Sequence, residues 1–259
     1  MPSILAIGDC HVGLDKSLDR FDLVSNLIWD RKPDYIVIMG DFMDMDCLSR
    51  WDKDKRQKME GRRYYKEIAQ GNEALDRLFR SVMEGKTKAR RSKRKSYFPG
   101  IIYLEGNHEE RLRRYLEYDP TFEGHVTIPK DMCLKDRGIL WVPYREYYYI
   151  NDIGFTHIPH NKIKPISGID VTTKAMKECT TKSVVFGHTH ELAMSNRHVE
   201  GMPHLQQSLN VGCFIDRRFD YTRGKVTNYW RGVILMYAWK PGRFDINTFS
   251  LGELERVYG

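Results

Sequence analysis

The sequence predicts an α/β protein, and two observations carry the prediction. Short runs rich in Ile and Val recur along the chain, each closing in a polar turn that contains glycine. A segment of helical periodicity separates the first two runs, which makes strand, helix and strand in about 35 residues, the span of a βαβ unit. The runs are Ile4–Ile7 before Gly8-Asp9, Tyr35–Met39 before Gly40-Asp41, Ile101–Leu104 before Gly106-Asn107, and Val184–Phe186 before Gly187-His188. Runs this short without alternation suit strands buried on both faces. The helix is Leu18–Trp29, with Leu18, Phe21, Leu23, Val24, Leu27 and Ile28 at helical spacing and Pro33 just beyond its end.

From about Met45 to Ser96 the composition changes to charged, helix-favouring residues, with Leu75, Leu78, Phe79 and Val82 as one narrow apolar stripe. This reads as a helical insertion ending in a basic loop. Beyond it Tyr147–His157, Gln206–Phe214, Val233–Trp239 and Phe244–Phe249 are rich in strand formers, and Pro241-Gly242 supplies a turn between the last two. One domain over residues 1–259 is expected, with 45–97 inserted in it.

The chain has 259 residues, 41% of them hydrophobic and 30% charged. That is too apolar for a disordered chain, and no run approaches the roughly 18 apolar residues that span a bilayer. Forty-two Lys and Arg against 35 Asp and Glu leave a net charge of +7. Lys86, Lys88, Arg90, Arg91, Lys93, Arg94 and Lys95 place seven cations within residues 86–95, equal to the whole excess. This argues against a protein coated uniformly in basic residues for nucleic acid, and the charge question narrows to one segment. The five cysteines are scattered, with no CxxC pair, which argues for a reducing compartment. MPSILAIGD has neither basic n-region nor long apolar h-region. A cytoplasmic protein that does not engage membranes is the expectation.

The chemistry lies in the turns that close the strands. Gly8-Asp9-Cys10-His11, Gly40-Asp41-Phe42-Met43-Asp44, Gly106-Asn107-His108-Glu109 and Gly187-His188-Thr189-His190 all stand at strand ends, where open α/β sheets bind ligands. Any one of these turns is commonplace. Four in one chain, each offering Asp, Asn or His, point to a metal site. The mixture of oxygen and imidazole donors suits manganese, iron or zinc better than calcium.

These blocks, in this order, resemble the signature of the calcineurin-like metallophosphoesterases: GDxH, GDxxD, GNH(E/D), an isolated His, then GHxH. The similarity runs from Gly8 to His190, and the tail around Asn210–Cys213 and Tyr229–Gly232 looks like phage-type or bacterial members. The resemblance implies a four-layer sandwich, two mixed β-sheets flanked by helices. It also implies two divalent ions about 4 Å apart, with manganese the first expectation and iron, zinc or nickel the alternatives. One ion would be held by Asp9, His11 and His190, the other by Asn107, His157 and His188, and Asp41 would bridge them. For the isolated histidine, His157 follows strand-like residues, and His160 competes for the role. His125, His198 and His204 have no such context. The implied reaction is in-line attack on phosphorus by a hydroxide bridging the ions. His108 would serve the leaving oxygen, and Asp44 would orient it, with Asp46 as the alternative carboxylate.

The second block here reads GDFMDMD, without the arginine of Ser/Thr protein phosphatases, which argues against that substrate class. The 66 residues from Asp41 to Asn107 are about twice what compact members use. The insertion is expected to leave and return on the active-site side as a cap. Its basic residues, Arg90, Arg91, Lys93, Arg94 and Lys95 among them, would then be nucleic-acid contacts or simply solvated. DNA, RNA or a nucleotide is the favoured substrate, with phosphodiesterase or nuclease activity to match. A small-molecule phosphomonoester, a lipid-linked pyrophosphate and a non-catalytic scaffold are the alternatives.

Overall fold

A computed structural model describes residues 1–161, 164–166, 168, 170–198, 200, 201, 205–215 and 228–259. Parallel strands β1 (Ser3–Ile7), β2 (Tyr35–Ile38), β3 (Gly100–Leu104) and β4 (Ile139–Val142) form most of one sheet. A second sheet holds β5 (Tyr148–Ile150), β6 (Ile153–Phe155), β7 (Ser183–Phe186), β8 (Leu192–Arg197) and β9 (Gln206–Val211) in the order β5-β6-β7-β9-β8. The hairpin β10 (Gly232–Lys240) and β11 (Arg243–Ser250) completes the first sheet as β11-β10-β1-β2-β3-β4. Both sheets are mixed, because β10 runs antiparallel to β1 and β8 antiparallel to β9.

Successive side chains of a strand face opposite ways, and the central strands use both faces. Leu5, Ile7, Ile36, Ile38, Ile101 and Tyr103 pack with α1 (Asp19–Arg31) on the outer side. Ile4, Ala6, Val37, Met39, Ile102 and Leu104 pack against Phe155, Val185, Leu209 and Val211 of the second sheet. Beyond that sheet, Val184 and Phe186 meet Val171 and Ala175 of a later helix. Helix, sheet, sheet and helix are the four expected layers. Continuous apolar strands were the sequence signal for this, since only a strand covered on both sides needs none of its residues polar.

The insertion departs from expectation. After the short α2 (Arg56–Met59), α3 (Tyr64–Arg91) buries Ile68, Ala74, Leu75, Leu78 and Val82 beside α1 in the outer layer. Because β2 and β3 are parallel, the chain must return to the start of β3, at the edge away from the strand ends that carry the motifs. So α3 is the crossover helix of a βαβ unit rather than a cap. With 28 residues it spans about 40 Å. Lys86, Lys88, Arg90 and Arg91 lie on its last turns, and Lys93, Arg94 and Lys95 follow directly. Tyr97 Oη donates to Pro33 O at 2.7 Å and Gly100 N to Asp34 O at 2.9 Å, which fixes the end of the basic run beside the start of β2. The expected cap position of Arg90, Arg91, Lys93, Arg94 and Lys95 is thus corrected by topology. The leading part of the insertion, residues 45–63, does stay at the motif end.

The remaining helices are α4 (Glu110–Tyr118), α5 (Ile128–Asp131), α6 (Val171–Glu178) and α7 (Leu251–Tyr258). Of these, α4 starts directly from the third motif turn. Among the described residues, no helix is long and apolar enough to cross a membrane.

Candidate metal centre

Five parallel strands aim their carboxyl ends at one place. Asp9 follows β1, Asp41 follows β2, Asn107 follows β3, His157 follows β6 and His188 follows β7. The turns are then tied to one another. Cys10 N and His11 N donate to Asp41 O at 3.0 and 2.9 Å. His188 N donates to the Asp9 carboxylate at 3.0 Å, and Gly187 N to His157 O. Glu109 joins the second and third turns, accepting from Asp41 N, Met43 N, Gly106 N and Tyr103 Oη at 2.9 to 3.0 Å. Sequence reading gave Glu109 no task, although a carboxylate directly after the Asn-His pair was a signal that could have found it. In the structure it has no exposure at all.

The backbone is bent hard to achieve this. His11, Asp41, His188 and His190 all have positive φ, between 46 and 71°. That region is sparsely populated by residues other than glycine and tends to mark functional sites. Gly40, at φ +90°, stands where a Cβ would come within 2.6 Å of His157 Nδ1. A Cβ on Gly106 would overlap the Asp41 amide and carboxylate. The glycines of the motifs are therefore required by close approach.

Donor atoms converge in three groups, each within 4.8 Å: Asp9, His11 and His190; Asp41, His157 and His188; and His11, Asp44 and His108. His157 Nδ1 lies 2.9 Å from Met39 O, and a carbonyl can only accept, so this nitrogen carries a proton. Its Nε2 then faces Asn107 Oδ1 at 3.0 Å and Asp41 Oδ2 at 3.5 Å. Likewise His11 Nδ1 donates to Asp44 Oδ1 at 2.8 Å, while its Nε2 faces His190 Nε2 at 3.1 Å and Asp9 Oδ2 stands 3.1 Å from His190 Nε2. Lone pairs pointing at lone pairs and oxygens need a shared cation or an added proton. His188 Nδ1 is buried with no hydrogen-bond partner among the described residues. These residues fit divalent ions, in the pattern where a ligand histidine is oriented by a hydrogen bond from its other nitrogen.

The charge balance agrees. Burial opposes charge on His157, but Asp41, Asp9 and the Met39 carbonyl outweigh it and hold its pKa at about 10. Burial also pushes Asp41 upward, yet His157, His108 and His11 keep it well below the usual carboxylate range. Asp9 is held low in the same way by His190 and His157, against burial and Asp41. Burial, with repulsion from His157, lowers His188.

His160 belongs to none of the three groups; its Nδ1 donates to Ile158 O and its ring sits edge-on to Tyr144. Of the two candidates, His157 is the one brought to the centre. His125 and His198 are exposed, and His204 lies outside the described residues.

The Asp44 expectation needs correction. Its carboxylate is committed to His11 Nδ1 and Lys16 Nζ and stands 3.8 Å from His108 Nδ1. What holds His108 is the Asp44 main-chain carbonyl, 2.9 Å from Nδ1. Asp46 lies near Arg111 and Arg62 instead. The three-residue spacing from Asp41 placed Asp44 correctly but did not say which histidine it would meet. Sequence reading also passed over Lys16, which clamps Asp44 and donates to His11 O at 3.0 Å. His108 Nε2 faces Arg111 Nη2 at 3.2 Å and Asp41 Oδ2 at 3.8 Å. Burial, with His11 and Arg111, holds the pKa of His108 at about 3, against the pull of Asp41.

Residues 2–192 match the family model described as calcineurin-like phosphoesterase. Relatives include the Gene 54 protein of Mycobacterium phage L5, 27% identical over 243 residues, covering 90% of this chain and 88% of that one. The Gene 54 protein of Mycobacterium phage D29 is 28% identical over 250 residues at the same coverage. Among solved structures, Vps29 complexed with zinc from Entamoeba histolytica aligns over 96% of this chain and 99% of its own, at 13% identity and TM-score 0.41. A dimetal phosphatase from Danio rerio aligns over 97% of each chain, at 9% identity and TM-score 0.40. The chain belongs to the calcineurin-like phosphoesterases, metal-dependent hydrolases of phosphoesters.

Proposed function

We propose that this member of the family hydrolyses a phosphodiester or phosphomonoester of a nucleic acid or nucleotide. Two divalent ions would serve it, one on Asp9, His11 and His190, one on Asn107, His157 and His188, with Asp41 shared. Bound there, the ions supply Lewis acidity and an activated water. The observation that carries this reading is the facing of imidazole lone pairs, His11 Nε2 on His190 Nε2 and His157 Nε2 on Asn107 Oδ1. Hydrogen bonding within the protein balances it only by adding positive charge as protons, as the high pKa of His157 reflects, and two shared cations would supply that charge instead. Manganese, the first expectation from the sequence, and iron, zinc or nickel would all suit this mixture of oxygen and imidazole donors.

The protein's own residues have separable tasks. Asp44 and the Met39 carbonyl fix the tautomers of His11 and His157, so that each offers Nε2. His108, pinned through Nδ1 to the Asp44 carbonyl, presents Nε2 toward the centre. Burial keeps this ring neutral with its proton on Nδ1, so Nε2 would have to gain a proton as the phosphate anion binds before passing it to the leaving oxygen as the P–O bond breaks. Arg111, which donates to the Asp44 carbonyl at 2.8 Å, is placed to meet a non-bridging phosphate oxygen. Support for a nucleic-acid substrate comes from Arg50, Arg111 and Arg114, which line a cavity with Asn107.

The experiment is His108→Ala assayed on a series of phosphodiesters with graded leaving groups. The metals should stay, while turnover on alkyl leaving groups falls roughly a hundredfold or more and p-nitrophenyl esters suffer least. An equal loss across the series would remove His108 from the leaving-group role.

A further inference from the structure

Two cavities open beside the centre and share three residues. The nearer, about 120 Å³, is lined by Leu48, Arg50, Trp51, Asn107, Arg111 and Arg114. The other, about 460 Å³, adds Lys53, Tyr115 and Tyr118 while sharing Leu48, Arg50 and Arg111. Together they make a path from Asn107 and His108 across the start of α4 and the leading part of the insertion. Large aromatics stand free on it: Trp51 is 89% exposed, Tyr118 83% and Tyr115 39%. Rings this exposed contribute nothing to the core.

The charges on the path are cationic, and not all of them are spent. Arg114 and Arg113 are paired with the buried Glu110, and Arg111 lies 4.0 Å from Asp46. Among the described residues neither Arg50 nor Lys53 is paired with a carboxylate; Arg50 reaches only the Arg114 carbonyl, at 3.4 Å. Free cations interleaved with exposed aromatic faces suit single-stranded nucleic acid, whose bases stack while its phosphates are neutralised. A duplex keeps its bases stacked on each other and offers no faces to such rings.

The geometry points to this groove as a binding path for single-stranded nucleic acid that leads a phosphodiester to the centre. Trp51 and Tyr118 stack bases, and Arg50 and Lys53 meet the flanking phosphates. This deepens the proposed function and rests on it for the fate of the bound strand, though not for the binding itself. The distant basic run at 86–95 has no part in it.

The test uses metal-loaded protein and a fluorescein-labelled phosphorothioate oligo-dT of about 10 nucleotides, within the usual site size, followed by anisotropy at several salt concentrations. Trp51→Ala and Tyr118→Ala should each weaken binding about tenfold, with Trp51→Phe restoring most of it. Arg50→Ala should lower the salt slope by about one. Replacing Lys93, Arg94 and Lys95 with serine should leave binding as it was. Wild-type affinity in all three groove variants would overturn the proposal, as would a loss on neutralising 93–95. Displacement by duplex DNA or an acidic peptide as readily as by oligo-dT would assign the groove to another partner. Hydrolysis of bis(p-nitrophenyl) phosphate by the wild type reports separately on the phosphoesterase reading. Failure there with intact oligonucleotide binding would sink the catalysis and spare the groove.

Discussion

Asp41→Asn should abolish turnover and empty both metal positions, although the substitution removes only a charge and a lone-pair set. Asp41 Oδ1 accepts from His108 N at 2.8 Å, and Oδ2 faces His157 Nε2 at 3.5 Å. An asparagine keeps its oxygen on His108 N–H, since turning the amide round would set donor against donor. Its NH2 then points where Oδ2 was, and it has no lone pair for a cation. The backbone does not confound the result, because φ is +46° and asparagine tolerates the left-handed region as well as aspartate does. Metal affinity should drop by more than the 10- to 100-fold typical of losing an outer partner. Losing the several kcal/mol a metal centre contributes corresponds to a rate loss of roughly a thousandfold or more. Atomic emission on the dialysed protein and a bis(p-nitrophenyl) phosphate assay read the two effects. Full occupancy with wild-type turnover would contradict the shared-ligand role.

Glu109→Ala should be the most damaging single change to stability near the centre. The side chain is fully buried and satisfies three amides and one phenol. Removing it strands four buried donors, and each unsatisfied donor costs about 1–3 kcal/mol. Water entering the space recovers part of that, so a net loss of about 3–5 kcal/mol is expected, in the range for breaking a buried charged network. Glu109→Gln should help little, because its NH2 would face the Asp41 and Gly106 amides or the Met43 amide and Tyr103. Urea denaturation of metal-free protein isolates this from ion binding. A loss below about 1 kcal/mol would show that the turns are held together by something else.

The strands around the centre were legible because local and global signals coincide there. Strands covered on both faces leave unbroken apolar runs, and residues that must bend the chain at their ends leave glycines with metal-type donors. Asp9, His11, Asp41, Asn107, His188 and His190 could each be read from that pattern. The insertion was not legible in the same way. Its apolar stripe at Leu75, Leu78, Phe79 and Val82 says that a helix buries one face but not against what. The direction of β3 decides where the chain returns. That β2 and β3 are parallel was implied by their motifs sharing one end, so the remote basic run could have been deduced. The partners of Asp44, Lys16 and Glu109 could not be read from the sequence, for another reason. Their partners are 33, 28 and as many as 68 residues away, and spacing along the chain does not report which side chain a carboxylate will meet.

The central claim is a two-ion hydrolytic centre, and metal stoichiometry tests it most directly. Protein stripped with a chelator and reloaded with manganese would be measured for bound metal per chain, alongside hydrolysis of bis(p-nitrophenyl) phosphate. Two ions per chain are predicted, with activity lost on stripping and restored on reloading. Hydrolysis that persists undiminished in the stripped protein, or saturation at a single ion, would contradict the account.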